Sequence, residues 1–267
     1  MPSLRTVLTH LIFSVFLLLA SHSYGETLKI VTTVYPPYQY PQDGKAKGLS
    51  AEIVQAILAK TTYNYQINFY PWPRAYKLAQ TDSYTLIFNI SRTHEREQLF
   101  QWIAPITPNN IYLWKLRSRK DIQLTTLQDA HGYRFGVLAD DIKRYYLQSK
   151  GIAEKQLNIS VKDKINLLML KNRRFDLMPY DEIAFRYRML QLGINPDDFE
   201  RALHLRDISQ YAYLAASLDT PKDVVLRLQQ SFAELSLNGE LDAIVQKYRH
   251  KMLDAVGGIP HLGMDDK

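Results

Sequence analysis

Residues 28–38, LKIVTTVYPPY, decide how the rest of the chain is read. Leu28–Val34 is a short run of apolar and β-branched residues that predicts a buried strand. Tyr35-Pro36-Pro37-Tyr38 stops it, because proline has no N–H to offer a sheet ladder. Working outward, Ser50 is placed to cap a helix whose Ile53, Val54, Ile57 and Leu58 share one face. A strand at Gln66–Tyr70, a short helix opened by Pro73 and running through Leu78, and a strand at Tyr84–Ile90 continue the alternation. Thr93 then caps a turn or two of helix that carries Arg96.

The pattern restarts near Ile111. Strands are expected at Phe135–Leu138 and Asn158–Val161, with a helix at Asp141–Ser149 between them and another, capped by Asp163, through Ile165, Leu168 and Met169. Phe175–Tyr180 (FDLMPY) reads as a short strand that ends at Asp181, before a helix with Ile183, Phe185, Tyr187 and Leu190. Tyr211–Ala215 returns to strand character. Thr220-Pro221 opens a long helix through Leu235, stopped near Gly239, and Glu240–Arg249 is the last helix before a frayed tail from Gly257. Apolar runs alternating with amphipathic stretches are the pattern of α/β units. Two such patterns of similar size, with no Gly/Ser linker between them, predict two tightly joined lobes.

Composition narrows the function. With 46% hydrophobic and 22% charged residues, the 267-residue chain can bury a real core. The net charge of +6 is scattered and no block of five like charges occurs, so no nucleic-acid partner is expected. There is no Cys, which excludes disulfides and thiolate metal sites. Residues 1–25 combine a basic start at Arg5, the apolar run Leu11–Ala20 and a small-residue end at Gly25, the form of a cleaved secretory signal peptide. No Gly-x-Ser-x-Gly elbow, His-Glu-x-x-His pair or Gly-rich phosphate loop is present, and the His residues are isolated. A binding protein without metal or cofactor is therefore favoured over an enzyme.

Three features invite a ligand. Arg96 lies in the first turn after Thr93, where the helix dipole disfavours a cation unless an anion is near. An acidic ligand group would satisfy the guanidinium and the free backbone N–H groups together; alternatively Glu95 or Glu97 neutralises Arg96 on a solvated face. Asp181, at a strand-to-helix junction, is either a helix cap or a carboxylate that receives a ligand ammonium. Tyr35, Tyr38, Trp72, Tyr76 and Trp102 cluster in loops and helix starts, where they can wall a pocket or pack in the core.

Tyr35-Pro36-Pro37-Tyr38, Gly48-Leu49-Ser50-Ala51-Glu52, Thr93-His94-Glu95-Arg96 followed by Trp102-Ile103-Ala104-Pro105, Phe175 through Asp181, and the closing Leu237-Asn238-Gly239-Glu240 recur in an order and spacing that resembles the bacterial extracellular solute-binding proteins of family 3. These are the periplasmic receptors of polar amino-acid ABC transporters. The segment Tyr70–Tyr76 is similar to a less characterised branch of that family. The resemblance implies an α/β, two-lobed clamp of type II with two chain crossovers, one lobe holding 26–110 plus 210–267 and the other 111–209. It implies a monomer in the periplasm that captures a small polar solute, an amino acid or a relative, for a membrane permease of an ABC importer or for a sensor. Arg96 matches the residue that holds the ligand α-carboxylate and Asp181 the one that holds the α-ammonium. Asn89 and Ser91 match positions that add hydrogen bonds, and the aromatic at Tyr35 or Tyr38 covers the ligand side chain.

Two departures stand out. Where such proteins usually carry a Gly-Thr or Gly-Ser turn, this chain has Leu138-Ala139-Asp140-Asp141-Ile142, and the carboxylates of Asp140 and Asp141 there either repel an anion or receive a cationic ligand group. The Ser-rich run before the Arg is thinned to Phe88-Asn89-Ile90-Ser91. A rival expectation is a cyclohexadienyl-dehydratase-like enzyme on the same fold, with Asp140, Asp141 or Glu182 as the acid. Another is an interaction module that has lost its ligand.

Overall fold

A computed structural model describes residues 27–256; the expected leader at 1–25 and the tail from Gly257 lie outside the described residues. β1 (Leu28–Thr32) is the strand that the opening run predicts, with Ile30 and Val31 fully buried on its two faces. β2 (Tyr40–Gln42) and β3 (Lys45–Lys47) form an antiparallel hairpin with no counterpart among the expected elements. α1 (Leu49–Ala59) leads to β4 (Tyr65–Phe69), and α2 (Trp72–Thr81) leads to β5 (Thr85–Ser91). Both strands pair with β1 in parallel, as helical crossovers allow. β6 (Gln101–Pro108) follows the short helix expected after Thr93, which is a 3-10 helix at His94–Leu99.

After Asn109 and Asn110 the chain builds a second sheet. β7 (Ile111–Leu116) is its middle strand. β8 (Phe135–Leu138), α3 (Ile142–Ser149), β9 (Leu157–Ser160) and α4 (Asp163–Lys171) follow, with β8 and β9 paired in parallel. β10 (Met178–Asp181), α5 (Glu182–Gln191) and β11 (Phe199–His204) complete that side, β10 and β11 flanking β7 antiparallel. The chain then returns: β12 (Tyr211–Ala216) inserts antiparallel between β5 and β6, giving the order β4-β1-β5-β12-β6. α6 (Lys222–Leu237) and α7 (Glu240–Val256) close the described chain, α7 running past the Arg249 end that the sequence predicts. The two connecting segments lie side by side, with Asn109 N–H donating to Gln210 O at 2.8 Å.

Alternation along the five-stranded sheet sorts its side chains to two faces. Ile30, Leu86, Phe88 and Leu214 face α1 and α6 in the largest core, while Val31, Ile87 and Ala215 face Trp72, Ala75 and Ala79 of α2. Burying each large apolar side chain contributes about 1.5–3 kcal/mol. In the second sheet Trp114 stacks on Phe185 with ring centroids 4.0 Å apart. The expected strand at Phe175–Tyr180 shortens to β10, because Asp176 instead accepts from Arg119 Nη1 at 2.6 Å and Arg134 N–H at 2.9 Å.

Candidate functional site

The site lies where loops of the two sheets meet. Ser50 does not cap α1: Gly48 holds the cap position, and Ser50 is buried inside the helix. The orphan N–H groups of the first turn go instead to the Tyr35–Tyr38 loop. Leu49 N–H donates to Pro37 O at 3.3 Å, and Ser50 N–H donates to Tyr38 O at 2.9 Å. This pins Tyr38, stacked on Tyr35 with centroids 5.9 Å apart, and Tyr35 in turn lies 5.3 Å from the Tyr180 ring of β10. Burial pushes both tyrosine hydroxyls well above the ordinary tyrosine range.

Asn89 sits in a bulge of β5. Its neighbours Ile90 and Phe88 pair with Tyr213 and Leu214, leaving Asn89 in the left-handed region at φ 62. Its Oδ1 accepts from Thr107 Oγ1 at 3.4 Å. Arg96, only 5% exposed, is set by the following 3-10 turn, whose Thr93 occupies the cap position without a side-chain bond. Its Nη1 donates to Ser91 O at 3.2 Å and its Nη2 to Asp140 O at 3.4 Å, and it forms no ion pair among the described residues. Its guanidinium lies 4.9 Å from the Tyr76 ring centroid and 5.9 Å from that of Trp72. Glu97 is engaged elsewhere, bound to Arg92. A buried cation held only by carbonyls and ring faces is a site for an anionic group.

Arg96 lines one cavity of about 50 Å³, together with Tyr35, Tyr38, Trp72, Asn89 and Ser91. Asp141, Lys143 and Asp163 line it from the other sheet's side. Asp141 is the cap of α3, accepting from Lys143 N–H at 2.8 Å and pairing with Lys143 Nζ at 2.9 Å. Asp163, expected as a cap, is the first residue of α4 and accepts from Tyr180 O–H at 3.0 Å. Burial pushes its carboxyl up to about 6, partly offset by Lys143 and the Tyr180 bond. Sequence reasoning did not single out Asp163 or Lys143 as site residues; the junction of β9 with a helix is the signal that could have marked Asp163.

Asp181 is placed differently. It is buried and outside that lining, with Oδ1 accepting from Ala184 N–H at 2.9 Å and Tyr38 O–H at 3.0 Å, and Oδ2 accepting from Asn110 N–H at 3.0 Å. Burial pushes its carboxyl up to about 6, against the pull of those three donors. It caps α5 and ties the first crossover to Tyr38. Trp72 bridges the two sides in the same way, its Nε1–H donating to Asp140 O at 2.8 Å.

Among solved structures the chain is similar to a histidine kinase sensor domain described as similar to periplasmic binding proteins (TM-score 0.73, 19% identity, 83% of this chain and 95% of that one). It is equally similar to a Streptococcus mutans structure concerned with glutathione import via GshT and the cystine ABC importer TcyBC (TM-score 0.73, 20% identity, 88% and 98%). An ancestral arginine-binding protein bound to arginine matches with a TM-score of 0.71 at 16% identity, over 83% and 97%. At these identities the likeness is one of fold: a two-lobed α/β clamp of type II. No curated protein matches the sequence. The model of the bacterial extracellular solute-binding proteins, family 3, matches residues 28–251, and with the clamp fold now described the chain belongs to that family.

Proposed function

We propose that this protein captures a small polar solute, an amino acid or a related compound, between two lobes and presents it to an ABC importer or a sensor after export to the periplasm. The lobes would be 26–110 with 210–267, and 111–209, hinged at the paired segments around Asn109 and Gln210. The observation that carries this is Arg96, a buried guanidinium at the cavity wall that has carbonyls and ring faces but no carboxylate partner among the described residues. It would hold the solute's anionic group, with Asn89 and Ser91 adding hydrogen bonds. Tyr35, Tyr38 and Trp72 would wall the solute, and Asp141 beside Asp163 would receive a cationic group. Asp181 would act through Tyr38 and the α5 terminus that it holds. Neighbours that bind arginine, or that are tied to glutathione import, agree with a polar solute of this kind.

A thermal-shift panel of amino acids, polyamines, small peptides and organic acids identifies the solute; one present at 100 times its dissociation constant stabilises by about 2.7 kcal/mol. Arg96→Ala is expected to weaken that solute about 100-fold or more in calorimetry, since two charge-assisted bonds of about 1.5–3 kcal/mol each are lost. Unchanged affinity in a folded variant removes Arg96 from the site.

A further inference from the structure

The cavity beside Arg96 is small for a solute. At about 50 Å³ it falls well short of the pockets of about 300–1,000 Å³ that take drug-sized ligands. A second chamber of about 730 Å³ adjoins it, and the two share Ser91, Arg96 and Ile142. That volume falls among pockets that take drug-sized ligands, about 300–1,000 Å³. Asp140 stands between the two. In the left-handed region at φ 55, it turns its carbonyl to both Trp72 and Arg96, which narrows the inner cavity. Its carboxylate accepts from Tyr145 O–H at 2.9 Å, which ties the Tyr145 ring into the wall of the outer chamber.

The lining of the outer chamber is amphipathic. Tyr76, Tyr145 and Tyr146 supply ring faces, Leu99 and Ile208 aliphatic surface, and Ser149 and Gln210 hydrogen-bonding groups. Charged groups line it as well: Arg96 is the buried cation, Arg92 is paired with Glu97, Lys150 is paired with Asp207 at 2.9 Å, and the Glu95 carboxylate is the acidic group left to face a ligand ammonium. A zwitterion longer than one amino acid matches this arrangement, its carboxylate on Arg96, its peptide groups and side chains along the tyrosines, and its ammonium toward a carboxylate.

We propose that the outer chamber is the main solute site and takes an elongated solute of di- or tripeptide size, anchored by its carboxylate on Arg96. This rests on the reading of Arg96 given above. The test is calorimetry on the mature protein with tyrosine, alanyl-tyrosine and alanyl-alanyl-tyrosine as probes. The tripeptide is expected to bind at least tenfold tighter than tyrosine. Ser149→Trp, a substitution at an exposed helical position that fills the chamber, is expected to weaken the tripeptide at least tenfold while leaving the melting temperature of the unliganded protein unchanged. Tyrosine binding as tightly as the peptides, or a tripeptide affinity untouched by Ser149→Trp, overturns the size assignment and leaves the Arg96 reading standing. Binding by none of the three also overturns it, and the wider solute reading then stands or falls on the thermal-shift panel.

Discussion

Asp163 and Asp181 are the two carboxyls near the cleft that burial pushes up to about 6 from the ordinary 3.8. Between about pH 4 and pH 6 the folded protein holds protons at these sites that the unfolded chain has released. Their contribution to stability is therefore complete below about pH 4 and is lost as pH rises through about 6. One such shift corresponds to about 3 kcal/mol across the window. Asp163→Asn keeps an oxygen for the Tyr180 hydroxyl but removes the titration. Relative to wild type, this variant should gain up to about 3 kcal/mol between pH 4 and pH 6.5 in urea unfolding; a pH-independent difference would mean that Asp163 is ordinary. At this scale the sequence singled out Arg96, because a cation in a first helical turn is anomalous. It was uninformative about the aspartates. Asp141, Asp163 and Asp181 all sit at strand-to-helix junctions, and only burial and partners separate a cap such as Asp181 from a wall group such as Asp163.

The joint between the Tyr35–Tyr38 loop and α1 shows how one element positions the site. Gly48 has φ 108, and a Cβ there would lie 2.4 Å from Tyr38 O, the acceptor for the helix's first N–H groups. Gly48→Ala combines left-handed strain with a backbone clash and should cost about 2–4 kcal/mol. It should also weaken solute binding through displacement of Tyr38, read as a lower urea midpoint and a higher dissociation constant. A variant matching wild type in both would detach the loop from the site. Strands flanked by helices were legible here from apolar runs, as at β1, β5 and β8. β6 and β7 were not, since Gln101–Leu116 interleaves polar residues, Pro105 and Pro108 with apolar ones and pairs only with strands distant in sequence. Ser50 carried the signature of a cap, yet backbone carbonyls of a preceding loop took that role, a tertiary arrangement that local spacing does not encode.

At the scale of the whole molecule, the two sides of the clamp are already in contact. Trp72 Nε1–H and Arg96 Nη2–H reach Asp140 O, and Tyr38 O–H reaches Asp181. On the proposed division into lobes, opening would be a rotation about the paired segments around Asn109 and Gln210, and these bonds would set the balance between closed and open forms. Trp72→Phe keeps an aromatic wall and deletes one neutral hydrogen bond, about 1 kcal/mol, which should raise the open-to-closed ratio about fivefold. The absence of cysteine makes this measurable, because Lys77→Cys and Lys155→Cys place two labels uniquely on exposed helical and 3-10 positions of opposite sides. Single-molecule energy transfer between them should show the open population rising with Trp72→Phe. While the open form is the minor one, the solute's association rate should rise by the same factor, because entry requires opening. An unchanged distance distribution would show that the Trp72–Asp140 contact does not hold the clamp shut, leaving Tyr38–Asp181 as the contact to delete next.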